Sequence, residues 1–544
     1  MSAHQPGFLQ SLFEGRVTSD LLVPFPAPDE ETLEMAESIV EMIHDWAEGS
    51  IDAAQFDQDK AIPKSVSDGL AELGLFGLTV PEEHGGAGMG QYVYSRAMEA
   101  VAHHCASTVT ILGAHLGIGI KGLLLDGTDE QKAKWLPKLA SGEWTGAFAL
   151  TEANAGSDAG ALRTRATELD DGSWKLDGRK VWITCGATAD FLTVFARTAP
   201  VDGSDVPFER WPISAFVVPA DTPGVEPGLP ENKMGLCGSN TVEVGLDGVV
   251  IPADHLLGKR GEGFKLALRI LNGGRHGLAA TCIGQAKLAR DLALVHAGER
   301  EQFGRPIGEF GMMQELLAGM EADIYSMEAA TWWAAGSIDA GSGDPRLEAA
   351  CCKIFATERL WQVANDALQV TGGTGFMREY AFERIVRDAR INMIFEGTNQ
   401  ILRMMLVTQG ARNLLKGTAS PGDPASCLSL GSPEFEAEAR EFTDRAQRFA
   451  ALAQSAVEAE GAALREAQFT LRRLADLAVA LFTEAAVLAR MAHEAPTAGE
   501  TKQATGRLAL ARRAAEFEAA HREALRPADD LVRTVAGAMT RRAG

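Results

Sequence analysis

The 544-residue sequence predicts a multidomain α+β chain in which a helical region, an all-β insert, a helical bundle and a further helical region follow one another. Three observations predict this. Apolar residues recur at helical intervals up to about Thr145, strand formers and tight-turn residues take over from there to about Asp254, and helical periodicity returns at Gly263. It is then interrupted by a stretch rich in Gly, Ser and Pro that begins near residue 417.

Residues 1–29 are set aside as an N-terminal extension whose order the sequence leaves open. The first domain is assigned to residues 30–145. Leu33, Met35, Ile39, Ile43 and Trp46 predict a helix over Glu30–Glu48, the glycines at 85, 86 and 88 mark a loop, and further helices are expected over Ala97–His103 and Val109–Leu125. Residues 146–256 read as the β domain. Asp177-Gly178 predicts the turn of a hairpin running from Trp174 to Thr184, Phe191–Arg197 is a run of strand formers, and Thr241–Gly248 alternates apolar with polar.

Residues 257–416 carry long amphipathic patterns with few breakers, at Gly304–Pro306, Gly341–Pro345 and the Thr371–Gly375 loop, which predicts a bundle. A linker is expected over 417–433 and an extra helical domain over 434–544, with helices near Glu434–Glu460, Arg465–Ala492 and Thr501–Arg526.

Composition narrows the function classes. A formal charge of -23 argues against nucleic-acid partners, whose phosphates demand clustered Lys and Arg. Seven cysteines without a C-x-x-C pair imply neither a disulfide framework nor a metal site, and read as reduced thiols. The first residues lack a basic segment followed by an apolar run, so cytoplasm is the expected compartment, and no metal is expected.

The stretch Ile394–Arg403 is where chemistry is expected. Glu396 stands between Ile394-Phe395 and Gly397, poorly solvating company that raises a carboxyl toward a value useful to a general base. Gly397 permits close approach of a ligand to the backbone, and Thr398 is placed to cap the helix continued by Ile401, Leu402, Met405 and Leu406. Taken alone, these ten residues fit a solvated loop acid equally well.

Five further segments, in order, give the chain its likeness. Phe148-Ala-Leu150-Thr151-Glu152-Ala-Asn-Ala-Gly156-Ser157-Asp158, Val181-Trp182-Ile-Thr184-Cys185-Gly186, Leu271-Asn272-Gly-Gly-Arg275, Arg300-Glu-Gln-Phe303-Gly304-Arg305 and Gln369-Val-Thr-Gly372-Gly373-Thr-Gly375, together with Phe395-Glu396-Gly397-Thr398, resemble the motifs of the acyl-CoA dehydrogenase family over about residues 30–416. The resemblance implies an N-terminal α-helical domain, a middle β-barrel or sandwich domain and a C-terminal four-helix bundle. It also implies FAD as cofactor. Phe148, Leu150, Thr151, Gly156, Ser157, Trp182 and Thr184 would line the flavin, with Thr398 and Gln400 also touching it. Arg300, Phe303, Gln369, Gly372 and Gly373 would reach the cofactor of a neighbouring subunit.

On the substrate side the resemblance assigns Ser157, Asn272, Arg275 and Gly397 to a fatty acyl-CoA, and Glu396 to the catalytic base. A minority of the family carries the base on the helix of Asn272, but Gly274 stands in that place here. The implied reaction removes a proton α to the thioester carbonyl while a hydride leaves the β carbon, giving a trans-2-enoyl-CoA of fatty acid β-oxidation, with electron-transfer flavoprotein as acceptor. The backbone N–H of Glu396 would bind the thioester carbonyl oxygen as charge develops on it. Cys185 departs from the common Asn and Ala153 from the common Pro, both small changes.

Ile270–Arg275, Leu112–His115, Phe395–Arg403 and the extra C-terminal helices make the likeness greatest to the very-long-chain members, so a homodimer is expected. Ser107 and Val109 stand where open glycines are expected, which predicts a shorter tunnel and long or medium chains. The linker has no basic amphipathic helix to attach a membrane, and a peripheral association with the inner membrane stays open beside the cytoplasmic expectation. An acyl-CoA oxidase using oxygen and a non-catalytic interaction protein stay open as alternatives.

Overall fold

The computed structural model describes residues 7–419 and 427–543, so the predicted linker lies partly outside the described residues, at 420–426. The chain forms two compact units, one of residues 28–320 and 356–397, the other of residues 1–27, 321–355 and 398–544.

The first unit opens with the helix Glu30–Ser50, begun by Asp29, whose carboxylate accepts the Thr32 N–H at 2.9 Å. Helices Gln91–His104 and Asp129–Ala140 follow, the latter closed at its start by a reciprocal Thr128/Gln131 cap. The helix expected over Val109–Leu125 is broken into Ala106–Leu112, a π-helical Gly113–Gly119 and Lys121–Asp126. Glycine explains the break. A Cβ on Gly119 would come within 2.8 Å of the Gly146 carbonyl, so a strand passes where an uninterrupted helix would put side chains. By length and hydropathy this stretch would pass for a membrane span, yet 56% of it is buried inside the protein.

Eight strands build the β domain: β1 Gly146–Ala149, β2 Arg165–Glu168, β3 Trp174–Thr184, β4 Phe191–Arg197, β5 Ile213–Pro219, β6 Val225–Pro227, β7 Thr241–Ile251 and β8 Leu256–Leu257. They pair in the order β6-β7-β3-β2-β4-β5-β8, with β1 parallel to β4. The hairpin predicted at Asp177-Gly178 does not exist; β3 runs through both residues as one eleven-residue strand. Gly178 is needed there for close packing, because a Cβ would lie 2.5 Å from Thr164 Oγ1, and Asp177 accepts the Gly248 N–H at 3.0 Å. Trp174, Leu176, Ile183, Val194, Phe216, Val242 and Val249 form the core of the sheet. The helix Gly263–Glu299 then runs for 37 residues and ends in a hairpin of Glu301–Gln302 against Arg305–Pro306.

In the second unit, Phe8–Phe13 is a short helix with five of its residues buried, an element the sequence did not reveal. Phe13 meets Phe449 edge-on at 4.8 Å. The expected tail helices appear as Glu436–Glu460, Gln468–Glu494 and Glu500–Leu525, followed by an unforeseen Asp529–Ala543. Buried ion pairs Arg445–Glu484 (2.5 Å), Arg490–Glu328 (2.8 Å) and Arg513–Asp323 (2.6 Å) cross this unit.

Candidate active site

Glu396 lies on the wall of a channel holding about 670 Å³ of space free of atoms, part of it open to solvent. The helix Gln91–His104 contributes Tyr94 and Met98, the segment Ala106–Gly119 contributes Val109, Thr110 and Gly113, and the helix Gly263–Glu299 presents Gly274, Gly277, Leu278, Thr281 and Gln285 at helical spacing. Thr184, Leu236, Asn392 and Phe395 also line the channel. The lining is mostly apolar, which suits an alkyl chain.

The carboxylate is aimed by a strained backbone. Glu396 has φ 56° and Gly397 φ 90°, so a residue with a Cβ is held where glycine is the comfortable choice. Thr398 caps the helix Asn399–Gly410 as expected, its Oγ1 accepting the Ile401 N–H at 3.3 Å, which fixes the chain two residues after Glu396. Glu396 Oε2 is sealed from solvent. Its charge is felt by two neighbours. Burial pushes the Tyr94 hydroxyl up, with Glu396 adding to the rise, and burial pulls Arg275 down to about 10 against the pull of Glu396. A carboxylate in this setting can take a proton from a carbon acid bound in the channel.

Two anchors hold the channel walls. His115, fully buried, accepts the Gly146 N–H on Nδ1 at 2.9 Å, and Thr193 Oγ1 donates to Gly119 O at 2.7 Å, so the π-helical wall is tied to β1 and β4. The second anchor is ionic. Lys180 Nζ donates to Glu152 Oε1 (2.8 Å), Leu150 O (3.1 Å) and Phe195 O (2.7 Å) with none of its side chain exposed. Burial pulls Lys180 down to about 8. Burial opposes ionisation of Glu152 too, but the Lys180 ammonium and the Thr164 hydroxyl outweigh it and hold that carboxyl below its ordinary range. Sequence reading missed this pair, although Glu152 lies inside one quoted motif and Lys180 immediately precedes another.

The pair clamps the Phe148–Asp158 segment onto β3, where Val181 N–H donates to Thr151 O at 3.0 Å. Leu150 is buried, Phe148 and Thr151 are half-buried, and Gly156 and Ser157 are exposed. Trp182 projects from a bulge in β3 with φ 58° and 60% of its surface exposed, beside Thr184 on the channel wall. Phe303 and Gly304, at φ 54° and 84°, form the tip of the hairpin after the long helix, with Phe303 96% exposed and Arg300 exposed at its base. Gly372 and Gly373 are exposed and have open space on their Cβ side, although the predicted loop there closes into a helical turn, Gly373–Phe376. Gln369 and Gln400 are exposed on their helices.

Arg275 is only 4% exposed and donates to Asn272 Oδ1 at 2.5 Å. Of the expected site residues, the structure gathers Thr184 and Glu396 on the channel. It leaves Trp182, Phe303, Gly372 and Gly373 on open surface. Val109 does line the channel, whereas Ser107 faces Gly238, its Cβ 3.3 Å from where a Cβ would stand there.

Fold and site together set a carboxylate on the wall of a mostly apolar channel. The comparisons with known proteins name the class. Residues 34–143, 147–249 and 261–410 match the N-terminal, middle and C-terminal domains of acyl-CoA dehydrogenase, and residues 433–522 match the ACAD9/ACADV C-terminal domain. The chain belongs to the acyl-CoA dehydrogenase family. It is 38% identical over 518 residues to the mitochondrial very long-chain specific acyl-CoA dehydrogenase of Homo sapiens, an alignment spanning 90% of this chain and 79% of that one. Among solved structures it resembles an acyl-CoA dehydrogenase complexed with FAD from Bacillus anthracis, with TM-score 0.85, 29% identity and coverage of 98% and 94% of the two chains. It also resembles the butyryl-CoA dehydrogenase of Megasphaera elsdenii, with TM-score 0.65, 34% identity and coverage of 68% and 96%.

Proposed function

We propose that this chain is an FAD-dependent acyl-CoA dehydrogenase acting on long-chain saturated thioesters, with Glu396 as the base, and that it passes electrons to an electron-transfer flavoprotein. The observation that carries the reading is the Glu396 carboxylate, one oxygen sealed from solvent, held at φ 56° on the wall of an apolar channel. FAD bound along Trp182 and Thr184 supplies the hydride acceptor for the β carbon. Glu396 takes the α proton, and the apolar lining excludes the water that would compete for it.

The strained, fully exposed Phe303 and the open glycines at 372 and 373 support a homodimer in which each subunit completes the cofactor site of the other. Val109 on the channel wall supports a shorter chain than the likeness to very-long-chain relatives implies. The free cysteines support a reducing, cytoplasmic setting.

The test is anaerobic. Saturated acyl-CoAs of increasing length are added to the yellow protein, and bleaching of the visible flavin band is followed. Bleaching with a length optimum, abolished in Glu396→Gln while acyl-CoA still binds, is the expected result; bleaching retained in that variant would overturn the base assignment. Turnover with oxygen as sole acceptor would turn the reading to an oxidase.

A further inference from the structure

Gln285 lines the same channel as Glu396. The helix Gly263–Glu299 runs along the helix Gln91–His104, and close glycine contacts fix their register. A Cβ on Gly277 would lie 2.6 Å from Tyr94 Cε1, and one on Gly284 would overlap Glu99 O and lie 3.0 Å from Ala102 Cβ. Tyr94, beside Gly277, feels the Glu396 charge, and Gln285 lines the channel about two helical turns further along the same helix. Eight residues separate Gly277 from Gln285, a rise of about 12 Å, which spans roughly ten carbons of an extended chain.

Gln285 is 4% exposed and lines the channel, and its Oε1 is buried with no hydrogen-bond donor among the described residues. The two threonines that line the channel from its helices are satisfied. Thr281 Oγ1 donates to Leu278 O at 2.7 Å and Thr110 Oγ1 to Ala106 O at 2.8 Å. An amide oxygen left unpaired in apolar surroundings disfavours a purely alkyl chain end and favours one that brings a donor to it.

Resting on the dehydrogenase reading above, we propose that Gln285 is a specificity-determining residue that selects acyl thioesters carrying a hydroxyl group roughly ten carbons beyond the reacting bond. The hydroxyl donates to Gln285 Oε1 and takes no part in the chemistry. Gln285 reads the chain end and Glu396 does the work.

The experiment compares dodecanoyl-CoA with 12-hydroxydodecanoyl-CoA as substrates of the full-length holoenzyme, by anaerobic flavin reduction. The expected result is a kcat/KM ratio of about tenfold in favour of the hydroxylated chain, the effect of one buried hydrogen bond. In Gln285→Leu the ratio is expected to fall to one or invert. Gln285→Met, closer in shape, guards against a folding defect and is expected to behave alike. 6-Hydroxydodecanoyl-CoA, whose hydroxyl stops short of Gln285, is expected to lose the advantage.

Equal use of plain and ω-hydroxylated chains by the wild type, or a preference unchanged in both variants, would overturn the assignment and leave the dehydrogenase reading intact. Failure of every acyl-CoA to reduce the flavin would overturn both.

Discussion

The Leu236 backbone N–H donates to Asp388 Oδ1 at 2.5 Å, joining a channel-wall residue held at φ 51° to the helix that leads to Glu396. The loop sits tightly, since a Cβ on Gly235 would overlap the backbone of Arg387, and burial pushes the Asp388 carboxyl up to about 6. Asp388→Ala leaves the buried Leu236 N–H unpaired, and about 1–3 kcal/mol of stability is expected to be lost with it. Because the loop forms the channel wall, KM for acyl-CoA is expected to rise more than kcat falls. Asp388→Asn keeps an acceptor and is expected to restore both, as steady-state kinetics and thermal melts would show.

Lys180→Met removes one partner of the buried Lys180–Glu152 pair and leaves the Glu152 carboxylate buried without its countercharge, held only by the Thr164 hydroxyl and the Arg163 and Thr164 N–H groups. A loss of about 3–5 kcal/mol is expected, seen as a lower melting temperature together with lower flavin content, because the Phe148–Asp158 segment is no longer held on β3. The double variant Lys180→Met, Glu152→Leu leaves no stranded charge. It is expected to recover most of the melting temperature.

Glu348 predicts a pH dependence of stability. Its Oε1 accepts the Leu9 N–H at 2.8 Å, its Oε2 finds no donor among the described residues, and burial pushes the carboxyl from an ordinary 4.5 up to about 7. The folded state therefore holds this proton more tightly than the unfolded chain does. The stabilising contribution is complete below about pH 4.5 and is lost as pH rises through about 7. Glu348→Gln imitates the protonated group. Near pH 4.5 its stability is expected to match the wild type, and at pH 8 to exceed it by on the order of 2 kcal/mol, as melts across that range would test.

Phe303→Ala leaves the fold of the monomer unchanged, because Phe303 is 96% exposed. Its effect is expected elsewhere. If the hairpin tip completes the partner's cofactor site, the variant retains less FAD after gel filtration and dissociates at higher concentration by analytical ultracentrifugation. Unchanged flavin content and dimerisation would remove Phe303 from that role.

Pattern made the long elements legible. Glu30–Ser50 and Gly263–Glu299 begin where helical periodicity placed them, and Phe191–Arg197, buried on both faces, stands where a run of strand formers placed it. What escaped was set by tertiary contact. Asp177-Gly178 looks like a turn but serves close packing against Thr164, and the stretch after Val109 looks like one helix but must let β1 pass at Gly119. Glu396 was singled out as a base and Thr184 as a flavin contact, and both line the channel, whereas Gln285 carries no motif and is visible only once the helices are packed.

The positive φ of Glu396 has a consequence for anyone who sets out to improve this protein. Glycine at 396 would relieve backbone strain of order 1 kcal/mol, and it would carry no carboxylate. A campaign that ranks variants by heat resistance alone will therefore drift toward the residue that abolishes turnover, and its most durable winner will be inert. Screening for both properties at once is the safeguard, and position 396 is the place where the two rankings are expected to part company.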